Sequence, residues 1–234
     1  MGIRVSLLTS ILLAGLSAAA PPKDAASDPT ANQRQMIIVE GQFQWVEGSW
    51  ARYDVTDKVK NEHYKLTFAV LERKDVKRKP YRWMELEAIL EKEPKVVTRF
   101  LAEETADGPG KLEEVIVQME GLKAFRIPKK YLDPEKGKNA NPVVPAAVLK
   151  RLAERKVAVA GKQVNVIEVE AEDGKGRPLT ATVSLEVAPI GVVEAETGEV
   201  LMKLADFGGG AATRVSGPVL NFYLWIMERV AGAL

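Results

Sequence analysis

Leu179-Thr180-Ala181-Thr182-Val183-Ser184-Leu185-Glu186-Val187 alternates apolar and polar side chains without a break. A period of two sends Leu179, Ala181, Val183, Leu185 and Val187 to one face of an extended chain and the four polar residues to the other. The stretch therefore predicts a half-buried β-strand, and its β-branched Thr and Val suit a pleated surface.

The same rhythm recurs on both sides of it. Tyr64, Leu66, Phe68 and Val70 share one face between His63 and Glu72. Met84, Leu86, Ala88 and Leu90 oppose Trp83, Glu85, Glu87 and Ile89. Met36 to Asp57 reads as a hairpin, with Ile37, Val39, Phe43 and Trp45 in its first strand and Gly48-Ser49 at its turn. Further turn signals stand at Asp107-Gly108-Pro109-Gly110, Gly161-Lys162 and Glu196-Thr197-Gly198. The expected fold is mainly β within the α+β class. It is a curled antiparallel sheet or incomplete barrel of about nine to eleven strands, because wide twisted sheets curl or must be covered.

Two stretches read as helix. Ala146 to Arg155 follows Pro145 and carries Val148, Leu149 and Leu152 on one side. Pro218 to Leu234 forms a C-terminal helix with Val219, Phe222, Tyr223, Ile226, Met227 and Val230 on one stripe. Such a stripe is expected to pack into the concave face of the sheet; attachment to a membrane surface or a partner is the rival reading. Between the strands, 125–145 holds Pro128, Pro134, Pro142 and Pro145 and reads as a long irregular insertion.

The first 19 residues belong to a different class. Arg4 precedes the largely apolar run Val5 to Leu16, and Ser17-Ala18-Ala19 supplies small residues for cleavage after Ala19. This pattern is that of a secretory signal peptide, followed by a flexible leader over 20–35. The apolar run is shorter than the roughly 20 residues a bilayer span needs, so no transmembrane span is expected in the mature chain. The expected location is periplasmic or secreted. The main domain then runs over 36–217.

Composition narrows the chemistry. The chain has 33 basic and 32 acidic residues; loss of Arg4 with the leader leaves 32 of each. A balanced charge gives no net electrostatic drive toward nucleic acid or an anionic membrane. There is no cysteine, which excludes a disulfide framework and a lipid-modified N-terminal Cys. His63 is the single histidine, so a nucleophilic triad would need it beside Ser27, Ser49, Ser184 or Ser216. None of these serines sits in a nucleophile-elbow pattern. Glu168, Glu170, Glu172 and Asp173 lack the spacing of a calcium loop, so neither metal nor cofactor is expected. Glu85 and Glu87 share a strand face two residues apart and are the candidate pair for glycoside hydrolysis. Arg126, Lys129, Lys130 and Tyr131 make a small basic and aromatic cluster, read as loop surface.

With two helices to cover so wide a sheet, part of its apolar face is expected to stay open as a groove. Phe43, Trp45, Phe68, Trp83, Phe100 and Trp225 are its candidate lining. Three stretches also resemble a known group: Trp50-Ala51-Arg52-Tyr53, Val187-Ala188-Pro189-Ile190-Gly191-Val192-Val193 and Leu204-Ala205-Asp206-Phe207-Gly208. With the leader and the consecutive hairpins, they resemble the LolA/LolB-like superfamily of periplasmic lipoprotein carriers and similar uncharacterised exported bacterial β-rich proteins. The resemblance implies an incomplete barrel around helices, with a cavity for acyl chains. The amphipathic helix those carriers place before their first strand is short or missing here, and the helix from Pro218 is additional. The leading expectation is a non-enzymatic protein that binds a lipid or a lipoprotein acyl chain. The alternatives are an envelope module docking a protein partner through the C-terminal helix, and a hydrolase using Glu85, Glu87 or His63.

Overall fold

The structure, a computed structural model, describes residues 37–91, 93–106, 108–132, 146–173 and 176–231. The signal segment, the leader, Ser27 and most of the irregular insertion, 133–145, lie outside the described residues.

Twelve strands form one long curled, unclosed sheet. Trp50–Asp57 (β1), Glu62–Val76 (β2), Lys79–Leu90 (β3), Val96–Thr105 (β4), Gly108–Met119 (β5) and Ala124–Arg126 (β6) follow one another as antiparallel neighbours. Ala147–Val159 (β7), Lys162–Glu172 (β8), Pro178–Val183 (β9), Val192–Glu196 (β10) and Val200–Gly208 (β11) form a second meander. The two meanders join where β1 pairs with β11, from Trp50 opposite Gly208 to Asp57 opposite Val200. Val219–Asn221 (β12) lies parallel to β6 at one edge, and β7 forms the other edge. The turn after β7 reaches back toward the seam, where the Lys162 ammonium donates to the Phe207 carbonyl at 2.7 Å.

Alternation dictates the faces. Ala51, Tyr53 and Val55 of β1, Leu66, Phe68 and Val70 of β2, and Met84, Leu86 and Ala88 of β3 all point into the curl. Tyr53 is fully buried there and its hydroxyl donates to the Val192 carbonyl at 3.0 Å, while burial pushes its phenol pKa up. Among the described residues no helix enters this interior. It is filled by two stretches of irregular chain that carry Ile37, Ile38 and Val39, and Val187 and Ile190. They are stitched together where Gln44 N–H donates to Pro189 O at 2.7 Å and the Gln44 amide donates to Leu185 O at 2.9 Å.

Four expectations are corrected. Residues 147–159 are strand β7, not part of a helix over 146–155. Helix propensity is a weak prior, and without β7 the outer edge of β8 would carry a row of unpaired backbone groups. Two bulges, at Val148/Lys150 and Arg151/Glu154, fit the thirteen residues of β7 to the eleven of β8. The stretch from Ile37 to Trp45 is not a hairpin strand; its one ladder contact is the parallel bridge from Val39 to Ala146. The alternation of 179–187 ends as a strand at Val183, and Leu185 turns out to solvent. Finally, the C-terminal helix is Phe222–Ala231 (α1), and it does not fill the concave face: none of its residues is buried.

The outer face has its own cover. After β11 the chain runs as a strap over 209–218 to reach β12 on the far edge. Seven strand spacings of about 4.8 Å separate the two strands, roughly 34 Å. The eleven residue steps from Gly208 to Val219 reach at most about 40 Å, so the strap runs close to full extension. Ala211 and Val215 on the strap, with Trp50, pack on an outer apolar patch that includes Leu71, Trp83, Leu101 and Ile116.

Gly191 holds the inner filling in place. Its φ is +67°, and a Cβ there would sit 2.8 Å from Gln42 Cβ and 2.9 Å from Gln42 O. Gly191→Ala is expected to lower stability by about 1–3 kcal/mol, because the backbone strain and the clash add. Denaturant unfolding checks this; an unchanged midpoint would show that the two inner stretches can separate freely.

Candidate ligand groove

β9 stops at Val183, while β8 continues back past Ile167 to Lys162. Residues 162–166 of β8 therefore have β7 on one side and no strand on the other. The inward phase of β8 also slips there: Val164 and Val166 are buried, and then Val169 and Ala171. The turn Ser184–Glu186 spans the gap, with Asn165 Nδ2 donating to the Glu186 carboxylate. Beneath it lies a hollow of about 530 Å³. A second hollow of about 220 Å³ adjoins it, and both are lined by Gln42, Arg151, Ile167 and Val183. The larger volume falls within the roughly 300–1,000 Å³ of ordinary small-molecule sites.

The hollow is amphipathic. Val166, Ile167 and Val183 form its apolar floor, and Leu185 stands at its wall. Arg151, Glu154, Arg155 and Lys156 line its rim along β7. Arg155 is paired with Glu168 at 2.7 Å. Arg151 has no ion pair among the described residues. It sits opposite Val169 in the ladder, so its side chain shares the face of the inward residues. The arrangement suits an apolar chain below and an anionic group at the mouth.

The six sequence-predicted lining residues lie elsewhere. Phe43, Phe68 and Phe100 form a close-packed file with ring centroids 6.2 and 6.1 Å apart. Trp45 extends it, 4.8 Å from Phe43, and its indole N–H donates to Thr105 O at 2.8 Å. Trp83 is on the outer face, under the Arg99 guanidinium at 4.4 Å. Trp225 sits on α1 against Phe125 at 4.4 Å. None of the six lines either hollow. Two sequence signals pointed to the hollow: the adjacent apolar pair Val166-Ile167, and a basic run along what reads as a helix but folds as β7.

The carboxylate pair is engaged by the strap. Glu85 is 0 % exposed. Thr213 Oγ1 donates to its Oε2 at 2.7 Å, and Arg214 N–H donates to its Oε1 at 2.9 Å. The Arg214 guanidinium bridges the pair, 3.9 Å from Glu85 and 3.3 Å from Glu87, and Lys95 stands 3.6 Å from Glu87. The two carboxylates thus fasten the strap across the middle of the outer face. His63 lies at the start of β2, with its Nδ1 3.1 Å from Thr56 Oγ1. Of the serines, Ser49 Oγ donates to Val46 O, Ser184 Oγ accepts from Glu186 N–H, and Ser216 is bonded to Gln118. Glu168 and Asp173, read above for calcium, are paired with Arg155 and Arg177.

No protein-family model matches the chain, and a search of curated proteins finds no match. Solved structures with a remote likeness include a candidate lipoprotein from Parabacteroides distasonis ATCC 8503, at 10 % identity and a TM-score of 0.35. Another is a candidate exported protein with YmcC-like fold from Bacteroides fragilis NCTC 9343, at 10 % identity and a TM-score of 0.32. Each match covers 74 % of this chain and 100 % of the other. No helix among the described residues is long and apolar enough to cross a membrane.

The two clusters answer differently to substitution. Phe68 is fully buried, so Phe68→Ala is expected to cost about 3–5 kcal/mol as a cavity in the core. Glu85→Ala strands the Arg214 N–H and the Thr213 hydroxyl and is expected to cost about 2–4 kcal/mol. It should also expose 209–214 to limited proteolysis, which Phe68→Ala should not do below its own unfolding transition. A strap equally resistant in Glu85→Ala would show that the carboxylates do not hold it.

Proposed function

We propose that the chain is a non-enzymatic exported protein that holds an apolar chain, a lipid or the acyl group of a lipoprotein, in the groove between β7, β8 and the 184–186 turn. The observation that carries this reading is the hollow of about 530 Å³ with its floor of Val166, Ile167 and Val183. The hollow opens to the surface at its rim along β7, so a ligand could reach its floor without unfolding the sheet. The partly buried Ile167 gives the floor an accessible apolar surface, and Arg151 at the mouth, without an ion pair among the described residues, favours a ligand with a negative head. Export rests on the leader pattern of residues 1–19. A relation to lipoprotein carriers remains part of this reading, supported by the curled open sheet.

Relative to the sequence expectation, the ligand site moves. It is assigned to the β7–β8 half of the sheet rather than to the Phe43, Phe68 and Phe100 file, whose rings already fill one another's contacts.

Native mass spectrometry of protein purified from its own envelope tests the reading. Co-purified lipid, or uptake of an added fatty acid, is expected. Ile167→Trp fills the floor and is expected to reduce uptake by at least about tenfold while leaving the circular dichroism unchanged. Absence of any bound lipid and of any uptake would refute the proposal.

A further inference from the structure

Helix α1 presents more apolar surface to solvent than to the protein. Phe222 and Trp225 anchor it on Phe125, with ring centroids 5.8 and 4.4 Å away. The Trp225 indole N–H donates to Lys123 O at 3.1 Å. On the remaining circumference, Ile226, Val230, Tyr223, Met227 and Leu224 follow in angular order over an arc of about 160°. Leu224 is 56 % exposed, Val230 58 % and Met227 67 %. Tyr131, on the short 3-10 turn Lys129–Tyr131, continues the same surface, 6.3 Å from Phe222.

Cations border this surface. Lys130 lies 4.9 Å over the Tyr131 ring and 5.7 Å over the Tyr223 ring, and Arg229 lies 5.8 Å over Trp225. Hydrogen bonds to the Tyr223 and Tyr131 phenols hold the Lys130 ammonium above the ordinary lysine range, so it stays charged. The carboxylates nearby are taken by other cations: Glu228 by Lys123, Glu114 by Arg126 and Glu113 by Lys129. Lys130 and Arg229 have no carboxylate partner among the described residues.

We propose that α1, with the 3-10 turn beside it, is an attachment site for an anionic lipid surface. Exposed Leu, Met, Ile and Val, bordered by Tyr, Trp and two cations with no carboxylate partner among the described residues, are the composition of an interfacial helix lying in a bilayer surface. The cations supply the complementary charge that lipid headgroups call for. Shape agrees with a bilayer better than with a protein. The helix is about 15 Å long, convex and on the rim of the sheet, whereas a stable protein partner covers roughly 800 Å² on each side. The site lies on the β6–β12 edge, away from the groove along β7, so it stands whether or not the groove takes a lipid.

Co-sedimentation with vesicles tests it, using the full chain in every case so that the apolar stretch Val5 to Leu16 contributes equally. The wild type is expected to bind phosphatidylcholine vesicles containing about 30 % phosphatidylglycerol about tenfold or more tightly than pure phosphatidylcholine. The double variant Leu224→Glu, Met227→Glu alters exposed positions and is expected to keep its circular dichroism while losing at least about tenfold in vesicle binding. Lys130→Gln with Arg229→Gln is expected to abolish the preference for anionic vesicles and to flatten the salt dependence. Equal binding by the Glu variant and the wild type, no preference between the two vesicle types, or no binding at all overturns the proposal. So does a dimer in the ultracentrifuge that the Glu variant dissolves, which would assign the face to a second copy of the chain.

Discussion

The pairing of β1 with β11 is the constraint on which the molecule depends. Each meander is built from neighbours in sequence, so each can form by local hairpins. Among the strand ladders of the described residues the seam alone joins residues about 150 positions apart, and it decides that there is one sheet rather than two. At one end Gly208 sits where a Cβ would come within 3.2 Å of the Trp50 indole, so any side chain there would press on that ring. At the centre the ladder is bulged between Arg52 and Tyr53, next to the hydroxyl that reaches across to Val192. Long-range pairings of this kind bear the full cost of loop closure before they gain contacts.

Once the seam is set, the inner and outer faces present different problems. The interior is lined from β1 to β11 by alternating apolar residues and needs a filling. A helix would be the usual filling, yet two irregular stretches do the work, tied by Gln44 to the 185–189 turn and by Gly191 against Gln42. The outer face is polar over most strands and apolar only around Trp83, Leu101 and Ile116. There the strap lies down, fastened by Glu85. A buried carboxylate on a strand is costly unless it is fully bonded. Backbone N–H, hydroxyl and guanidinium from one short segment supply those bonds, which gives the pair a structural role without any appeal to catalysis.

These same facts explain what the sequence could and could not disclose. Strands β8 and β10 to β11 were legible because one face of each is more deeply buried, and burial writes a period of two into the residues. β2 and β3 are buried on both faces over 66–71 and 81–88, and their alternation survives because the outer face carries Thr67, Glu85 and Glu87. β7 was not legible, because every side chain from Ala147 to Ala158 is at least partly exposed, and an exposed strand carries no such period. Its Ala, Leu, Lys, Arg and Glu then report helix propensity, which the ladder with β8 overrides. Phe43, Phe68 and Phe100, expected as groove lining, pack on one another in the interior, because inward side chains fill a core before they line a cavity. The groove instead arises from a mismatch of strand lengths, β9 ending while β8 runs on. Strand length is fixed by pairing partners distant in sequence, and no local pattern states it.

The uneven cover also divides the molecule by rigidity. β2 to β5 carry apolar residues on the inner face and, around the outer patch, on the outer face as well, so opening any of them uncovers two apolar faces. β7 has β8 as its one paired strand, carries two bulges and buries little beyond Val159. Segments with few buried contacts and exposed backbone bonds open at a small fraction of the global free energy. The groove is bounded on one side by β7, an edge strand with a single paired neighbour, and on the other by β8, Val183 and the 184–186 turn. Displacing the β7 wall uncovers little apolar surface, since no residue of β7 before Val159 is buried, and the proposed uptake of an apolar chain would draw on that low cost.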